Sequence, residues 1–103
     1  MELDVESYLA SLDTIAARAQ PVLAGETPTT YTQKLLADQN KRVQKLGTEA
    51  VELVREDCRP DFDEERFTGE AADTVYAVEV ICAARGVAFV NVLNELARRN
   101  QAS

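Results

Sequence analysis

An all-α bundle is the fold class this sequence predicts, and three observations carry it. Glycine and proline are sparse, at 4 and 3 in 103 residues, so little in the chain forces a break. Apolar residues recur at i, i+3 and i+7 in successive segments, which is the spacing of a helix face. Between those segments stand residues that start or stop helices: Asp4, Pro21, Thr30, Asn40, Asp61, Asp63 and Gly86. A hydrophobic fraction of 46% with six aromatics and no Trp predicts a core of Leu, Val and Ala. The length fits one all-α domain, residues 1–103. That is near the small end for a self-sufficient core, so association of chains is expected.

The first helix spans Asp4 to about Ala19, with Leu9, Leu12, Ile15, Ala16 and Ala19 at helical spacing. Asp4 is its expected cap and Pro21 its stop or kink. Gly25–Thr30 (GETPTT) is a loop. Thr30 and Gln33 fit a capping box, so a short second helix opens at Tyr31 and carries YTQKLLAD. Asn40 is the expected cap of a third helix running to about Asp57, with Val43, Leu46, Ala50, Leu53 and Val54 on one face. Pro60 ends that helix or follows it, and Asp61 or Asp63 caps the fourth, which runs to Arg85 and stops at Gly86. On the fourth helix Phe67, Ala71, Val75, Val78 and Cys82 share a face, and Ala72, Tyr76, Ala77, Val80, Ile81 and Ala84 leave little of the remainder polar. A helix apolar most of the way round is central or covered by a partner subunit. A fifth helix carries Phe89, Val90, Leu93, Leu96 and Ala97. A dimer interface is expected on the fourth and fifth.

The formal charge is −7, and residues 49–73 carry all of it, with ten acids against three bases. Such a segment repels itself unless it is solvated or neutralised by cations. No basic face is visible, so nucleic acid is not an expected partner. There is no His, and Cys58 and Cys82 lack metal-type spacing, which excludes a zinc site or a His-based triad built from the chain's own residues. The two thiols read as reduced, in a cytoplasmic protein. The acidic N-terminus MELDVESYLA lacks the apolar stretch of a signal peptide. No apolar run reaches the roughly 18 to 20 residues of a membrane span, so no membrane partner is expected.

Inside the acidic segment, Glu49 and Glu52 stand three apart on the third helix, and Glu70 and Asp73 three apart on the fourth. Residues at that spacing lie on one side of a helix, so each pair can aim at a common point. Two such pairs facing each other form a cage of hard oxygen ligands suited to Mg²⁺, an ion that commonly bridges carboxylates to substrate phosphates. Lys45, Glu49, Glu52 and Glu56 form a stripe beside the apolar face of the third helix, with Thr48 at its edge. From that helix alone, a solvated flank with a Lys45–Glu49 pair explains the stripe as well. On the fourth helix Glu70 and Asp73 continue into Ala77 and Ile81, and carboxylates among apolar residues are costly to bury unless paired or metal-bound, which favours the cage. The run CRPDFDEE reads as helix capping, and Tyr31 with Lys34 fits either a packed ring beside a solvated cation or a ligand contact.

Four stretches in order, TYTQKLL, KLGTEAVELV, GEAADTVY, and AARGV followed by NVLNELARR, resemble the phosphoribosyl-ATP pyrophosphatase family of histidine biosynthesis, within the MazG-like all-α nucleotide pyrophosphohydrolases. The resemblance covers about residues 30–99 and leaves the N-terminal helix, residues 1–24, outside it. It implies a MazG-like bundle of four to five helices, a homodimer, and Mg²⁺-dependent hydrolysis of phosphoribosyl-ATP at the α–β phosphoanhydride, giving phosphoribosyl-AMP and pyrophosphate. Carried over position by position, it implies Glu49, Glu52, Glu70 and Asp73 as Mg²⁺ ligands and Lys45, Tyr31 and Lys34 as substrate contacts. Glu49 is the expected general base. The sequence departs from the family pattern at Thr48, which stands where the first Glu of E-E-x-x-E is expected. A hydroxyl does not supply a carboxylate's charge, so one metal position is expected to be weakened, helped by Glu56 one turn beyond Glu52, or lost. Two further readings use the same residues. One is a house-cleaning pyrophosphatase acting on nucleoside triphosphates; the other is a non-catalytic helical dimer in which Thr48 records lost metal chemistry. The stretch TYTQKLL favours the histidine pathway.

Overall fold

The computed structural model describes residues 4–102, which form five helices and no strand: α1 (Val5–Leu23), α2 (Tyr31–Ala37), α3 (Gln39–Cys58), α4 (Glu64–Ala84) and α5 (Phe89–Ala102). Side-chain caps open most of them. Asp4 accepts from the Ser7 N–H at 3.2 Å, Thr30 and Gln33 complete the capping box at Tyr31, and Asp63 accepts from the N–H groups of Glu65 and Arg66. Gly86, with φ of 70°, takes the left-handed turn beyond the α4 cap, and α4 and α5 are bent by 115°.

Two boundaries differ from the sequence expectation. Asn40 does not cap α3. Asp38 ends α2 and caps α3 at once, accepting from the Lys41 N–H, so the corner between the helices is a single residue. Arg42 braces that corner by donating to the carbonyls of Leu35 and Leu36 at 3.1 and 2.8 Å, groups that a helix end leaves without intrahelical partners. Pro21 does not stop α1 either. It sits in the last turn, where its missing N–H forfeits one hydrogen bond, and the helix runs on to Leu23 before Gly25 turns with φ of 87°.

The core lies where α1 and α2 meet α4. Ile15 and Ala19 from α1, Leu35 and Leu36 from α2, and Val80 from α4 form its buried centre, with Val22, Tyr76, Ala83 and Ala84 packed around it. The face of α4 seated here therefore runs through Tyr76, Ala77 and Val80, whereas Val75 on the expected Phe67–Cys82 face is 44% exposed. On the other side α3 makes the most extensive helix pair of the molecule with α4. Leu46, Ala50 and Leu53 are half-buried, while Val43 and Val54, together on one edge of the α3 apolar arc, are exposed. The reason is geometric: one helix covers only part of another's apolar arc, and α4 spends its girth on α1, α2 and α3 together. Among the described residues, no single helix is long and apolar enough to cross a membrane.

Two buried polar groups tie distant parts of the chain. Thr32 and Tyr76 share a hydrogen bond between their hydroxyls. Glu79 is 8% exposed, and the Tyr8 hydroxyl, 71 residues away in sequence, donates to it at 2.6 Å. Burial first, then the Glu79 carboxylate, pushes the Tyr8 phenol from 10.0 up to about 12. A raised phenol pKa favours the neutral form in the folded chain, so the stability it contributes is whole below pH 10.0 and is lost as pH rises toward about 12. Tyr8→Phe leaves the Glu79 carboxylate short of a donor and is expected to lower urea-unfolding stability by about 2 kcal/mol near neutral pH. The deficit should narrow once the wild-type phenol ionises. An equal deficit at neutral and at strongly alkaline pH would show that Tyr8 contributes through packing alone.

Candidate functional site

The seam between α3 and α4 brings Glu49, Glu70 and Asp73 together: one carboxylate oxygen from each lies within 4.8 Å of the others. Thr74 stands beside them in the seam, its hydroxyl 2.9 Å from the Glu70 carbonyl of its own helix and, as a longer second contact, 3.3 Å from the Glu49 carbonyl across it. Glu49 and Glu70 are half-buried and Asp73 is exposed. Burial, followed by a hydrogen bond with Glu49 and the charges of Glu49, Asp73 and Glu52, raises the Glu70 carboxyl above the usual carboxylate range. Carboxylates this close cannot all ionise without cost unless a cation or a proton sits among them. The donor set is all oxygen, which fits a hard divalent cation and not a soft one.

Lys45 flanks the group. Its Nζ lies 2.9 Å from Glu49 Oε1 and 5.8 Å from the centroid of the Tyr31 ring. The hydrogen bond to Glu49 is the main cause of its raised pKa, so the ammonium stays charged. Tyr31 is 59% exposed, so its ring is a wall rather than part of the core. Tyr31, Lys41, Gln44, Lys45, Thr48 and Glu49 line a cavity of about 400 Å³ beside the carboxylates, in the size class of small-ligand sites.

The remaining expected site residues lie elsewhere. Glu52 is outside the close group. It pairs with Arg55 at 3.5 Å and lines a separate hollow with Thr48 and Gln44, although its charge still reaches Glu70. Positions three apart on a helix diverge by about 60°, so turning Glu49 squarely onto α4 leaves Glu52 to one side. Lys34 does not share the Tyr31 cavity. It lines a neighbouring hollow with Asp38, Asn40 and Lys41. Glu56 gives no help at the Thr48 position. It is 6% exposed, with Oε1 3.4 Å from Arg66 Nε and 3.7 Å from Arg59 Nη1, and it fastens the end of α3 to the start of α4. The neighbouring acids behave as capping groups and surface partners, Asp63 at the α4 N-terminus and Asp61 3.2 Å from Arg59.

Sequence reasoning passed over Thr74, Lys41 and Gln44. Lys41 was within reach of it, standing four residues before Lys45 on the same side of α3. The role of Thr74 depends on the pairing of two helices, which no local spacing reveals.

The family model for phosphoribosyl-ATP pyrophosphohydrolase matches residues 18–100, and so begins within α1. A phosphoribosyl-ATP pyrophosphatase of Dinoroseobacter shibae is 43% identical over 95 residues, covering 90% of this chain and 87% of the relative. Its counterpart in Cereibacter sphaeroides is 36% identical over 96 residues, covering 92% and 91%. That of Paracoccus denitrificans is 42% identical over 88 residues, covering 84% and 76%. No solved structure matches the chain. A family match over most of the sequence, with relatives of similar length whose similarity runs nearly end to end, means that the chain belongs to the phosphoribosyl-ATP pyrophosphohydrolase family.

Proposed function

We propose that this chain hydrolyses phosphoribosyl-ATP to phosphoribosyl-AMP and pyrophosphate, a step of histidine biosynthesis, with Mg²⁺ held by Glu49, Glu70 and Asp73 and with Glu52 completing the ligand set from the side. The observation that carries the reading is the meeting of three carboxylates from two helices within 4.8 Å, in a member of a family named for that reaction. Mg²⁺ bound there supplies charge neutralisation for phosphate groups and acidity for water. Glu49 belongs to both the carboxylate group and the cavity wall, so it is the group suited to take the proton of the attacking water as the α–β phosphoanhydride opens. Lys45 has three donors and gives one to Glu49, which leaves two for phosphate oxygens. The exposed ring of Tyr31 offers an apolar face to the substrate, and Lys34 a cation in the adjoining hollow.

The same reading takes residues 1–103 as one MazG-like domain working as a cytoplasmic homodimer. Exposed Val75 on α4 and exposed Val90, Leu93 and Leu96 on α5 support burial by a second copy, and α3 adds Val43, Val51 and Val54. The free thiols of Cys58 and Cys82 suit a reducing compartment. Sedimentation equilibrium is expected to give twice the 11.3 kDa chain mass; a monomer throughout the micromolar range would refute the dimer.

The purified protein with Mg²⁺ and phosphoribosyl-ATP is expected to release pyrophosphate. Release only from nucleoside triphosphates would favour the house-cleaning reading, and release from neither the non-catalytic one. Glu70→Gln is expected to abolish turnover with an unchanged circular dichroism spectrum, and full activity in that variant would remove the carboxylate group from the mechanism. In EDTA, Glu70→Gln is expected to melt higher than wild type, because one of the converging charges is gone. Added Mg²⁺ should then raise the wild-type melting temperature more than the variant's; equal shifts would argue that the carboxylates share no ion. Thr48→Glu is expected to raise Mg²⁺ affinity or turnover, and no change in either would show that the site manages without a carboxylate there.

A further inference from the structure

We propose that Lys41 is a second phosphate-binding residue, shared by the cavity beside the carboxylates and the hollow that holds Lys34, so that two phosphate groups of one substrate sit about two turns of α3 apart. The proposal rests on the phosphoribosyl-ATP reading and adds to it the residue that tells this substrate from an ordinary nucleoside triphosphate.

Three observations support it. Lys41, Lys45 and Glu49 follow one another at four-residue spacing on α3, a single stripe along the helix. At 1.5 Å per residue that stripe runs about 12 Å from the carboxylate group to Lys41. Lys41 is also a wall of both spaces, about 400 Å³ on the Tyr31–Glu49 side and about 390 Å³ on the Lys34 side. The third observation is charge. Lys45, Arg55, Arg59, Arg66, Arg98 and Arg99 are paired with carboxylates, whereas among the described residues Lys34 and Lys41, like Arg18, Arg42 and Arg85, enter no ion pair, and Arg42 gathers at this corner with Lys34 and Lys41. The acid in their hollow, Asp38, has Oδ1 engaged as the α3 cap, 3.2 Å from the Lys41 N–H. In a chain of net charge −7, this corner is locally positive and faces open space.

The chemistry of the substrate supplies the match. Phosphoribosyl-ATP carries phosphate at two places, the triphosphate of its ATP part and the monophosphate ester of its phosphoribosyl part. A nucleoside triphosphate carries only the first. With the triphosphate at Glu49, Glu70, Asp73 and Lys45, the sugar monophosphate falls to the pair Lys34 and Lys41, where charge-assisted hydrogen bonds are strong and a lost contact is felt as binding.

Steady-state kinetics with Mg²⁺ test this. Wild type is expected to hydrolyse phosphoribosyl-ATP and to be inhibited competitively by ribose 5-phosphate. Lys41→Ala is expected to raise KM about tenfold, the equivalent of one charge-assisted contact, with kcat within about twofold. It should also lose inhibition by ribose 5-phosphate while keeping inhibition by pyrophosphate, and Lys41→Arg should restore both. If wild type turns over phosphoribosyl-ATP but Lys41→Ala leaves KM and ribose 5-phosphate inhibition unchanged, the two-phosphate arrangement is wrong and the activity stands. If pyrophosphate inhibition falls instead, Lys41 serves the triphosphate and the proposed division is overturned. If wild type does not hydrolyse phosphoribosyl-ATP, it is the activity reading that fails. Titration of ribose 5-phosphate followed by amide chemical shifts then tests the hollow without turnover, and shifts equal in wild type and Lys41→Ala would overturn it.

Discussion

The packing of α3 against α4 is the constraint on which the rest of the site depends. Thr74 stands in that seam: its single hydroxyl proton serves the Glu70 carbonyl one turn back on α4 at 2.9 Å, with the Glu49 carbonyl of α3 a longer second acceptor at 3.3 Å. Helix packing alone allows neighbouring registers with similar burial, because apolar side chains of similar size are interchangeable along a seam. A side-chain bond to a backbone carbonyl is not interchangeable. In the observed register Asp73, the residue before Thr74, and Glu70, one turn away, meet Glu49. The repulsion of like charges opposes that convergence, so the packing of α3 on α4 and this bond must hold it in place.

The acids of residues 49–73 divide according to what neutralises them. Asp63 spends its carboxylate on the N–H groups of α4, Asp61 sits with Arg59, and the buried Glu56 lies between Arg59 and Arg66. These are answered by the chain itself. Glu49, Glu70 and Asp73 have one bonded ammonium among them, that of Lys45 on Glu49. The Glu70 carboxyl rises first because it is partly desolvated and then because Glu49, Asp73 and Glu52 stand around it. A segment that gives Glu52, Glu56, Asp61 and Asp63 partners of their own and leaves three carboxylates facing one another has a place for an external cation. The negative charge of the chain is therefore concentrated rather than merely abundant.

Much of this was legible in the sequence, for reasons that also mark where legibility ended. Helices, caps and carboxylate pairs are written at spacings of three and four residues, which is why the capping box at Thr30, the cap at Asp63 and the presence of Glu49, Glu70 and Asp73 on facing helices could be anticipated. Rotation about the helix axis is not written there. The same spacing that suggested a four-acid cage cannot say that α3 turns Glu49 inward and Glu52 aside, or that Lys34 falls in a different hollow from Tyr31. Bonds between distant residues escape local reading altogether. The Tyr8–Glu79 bond joins positions 71 residues apart, and Glu56, expected near the metal position, pairs instead with Arg66 on the next helix. Pro21 misled for the opposite reason, since a residue disfavoured in a helix interior is tolerable in a final turn whose hydrogen bonds are few.

The rotation of α3 also changes what the departure at Thr48 means. Thr48 is exposed and stands between two spaces, lining the Tyr31–Glu49 cavity on one side and the Glu52–Arg55 hollow on the other. It is not wedged into the seam where Glu49, Glu70 and Asp73 meet. A carboxylate at that position would extend the negative surface toward Glu52 and toward whatever occupies the cavity, while Glu49, Glu70 and Asp73 meet without it. The missing charge therefore bears on the outer side of the site, where Glu52 is already drawn toward Arg55. The inner group lies in the α3–α4 seam, where residue 48 contributes no ligand atom.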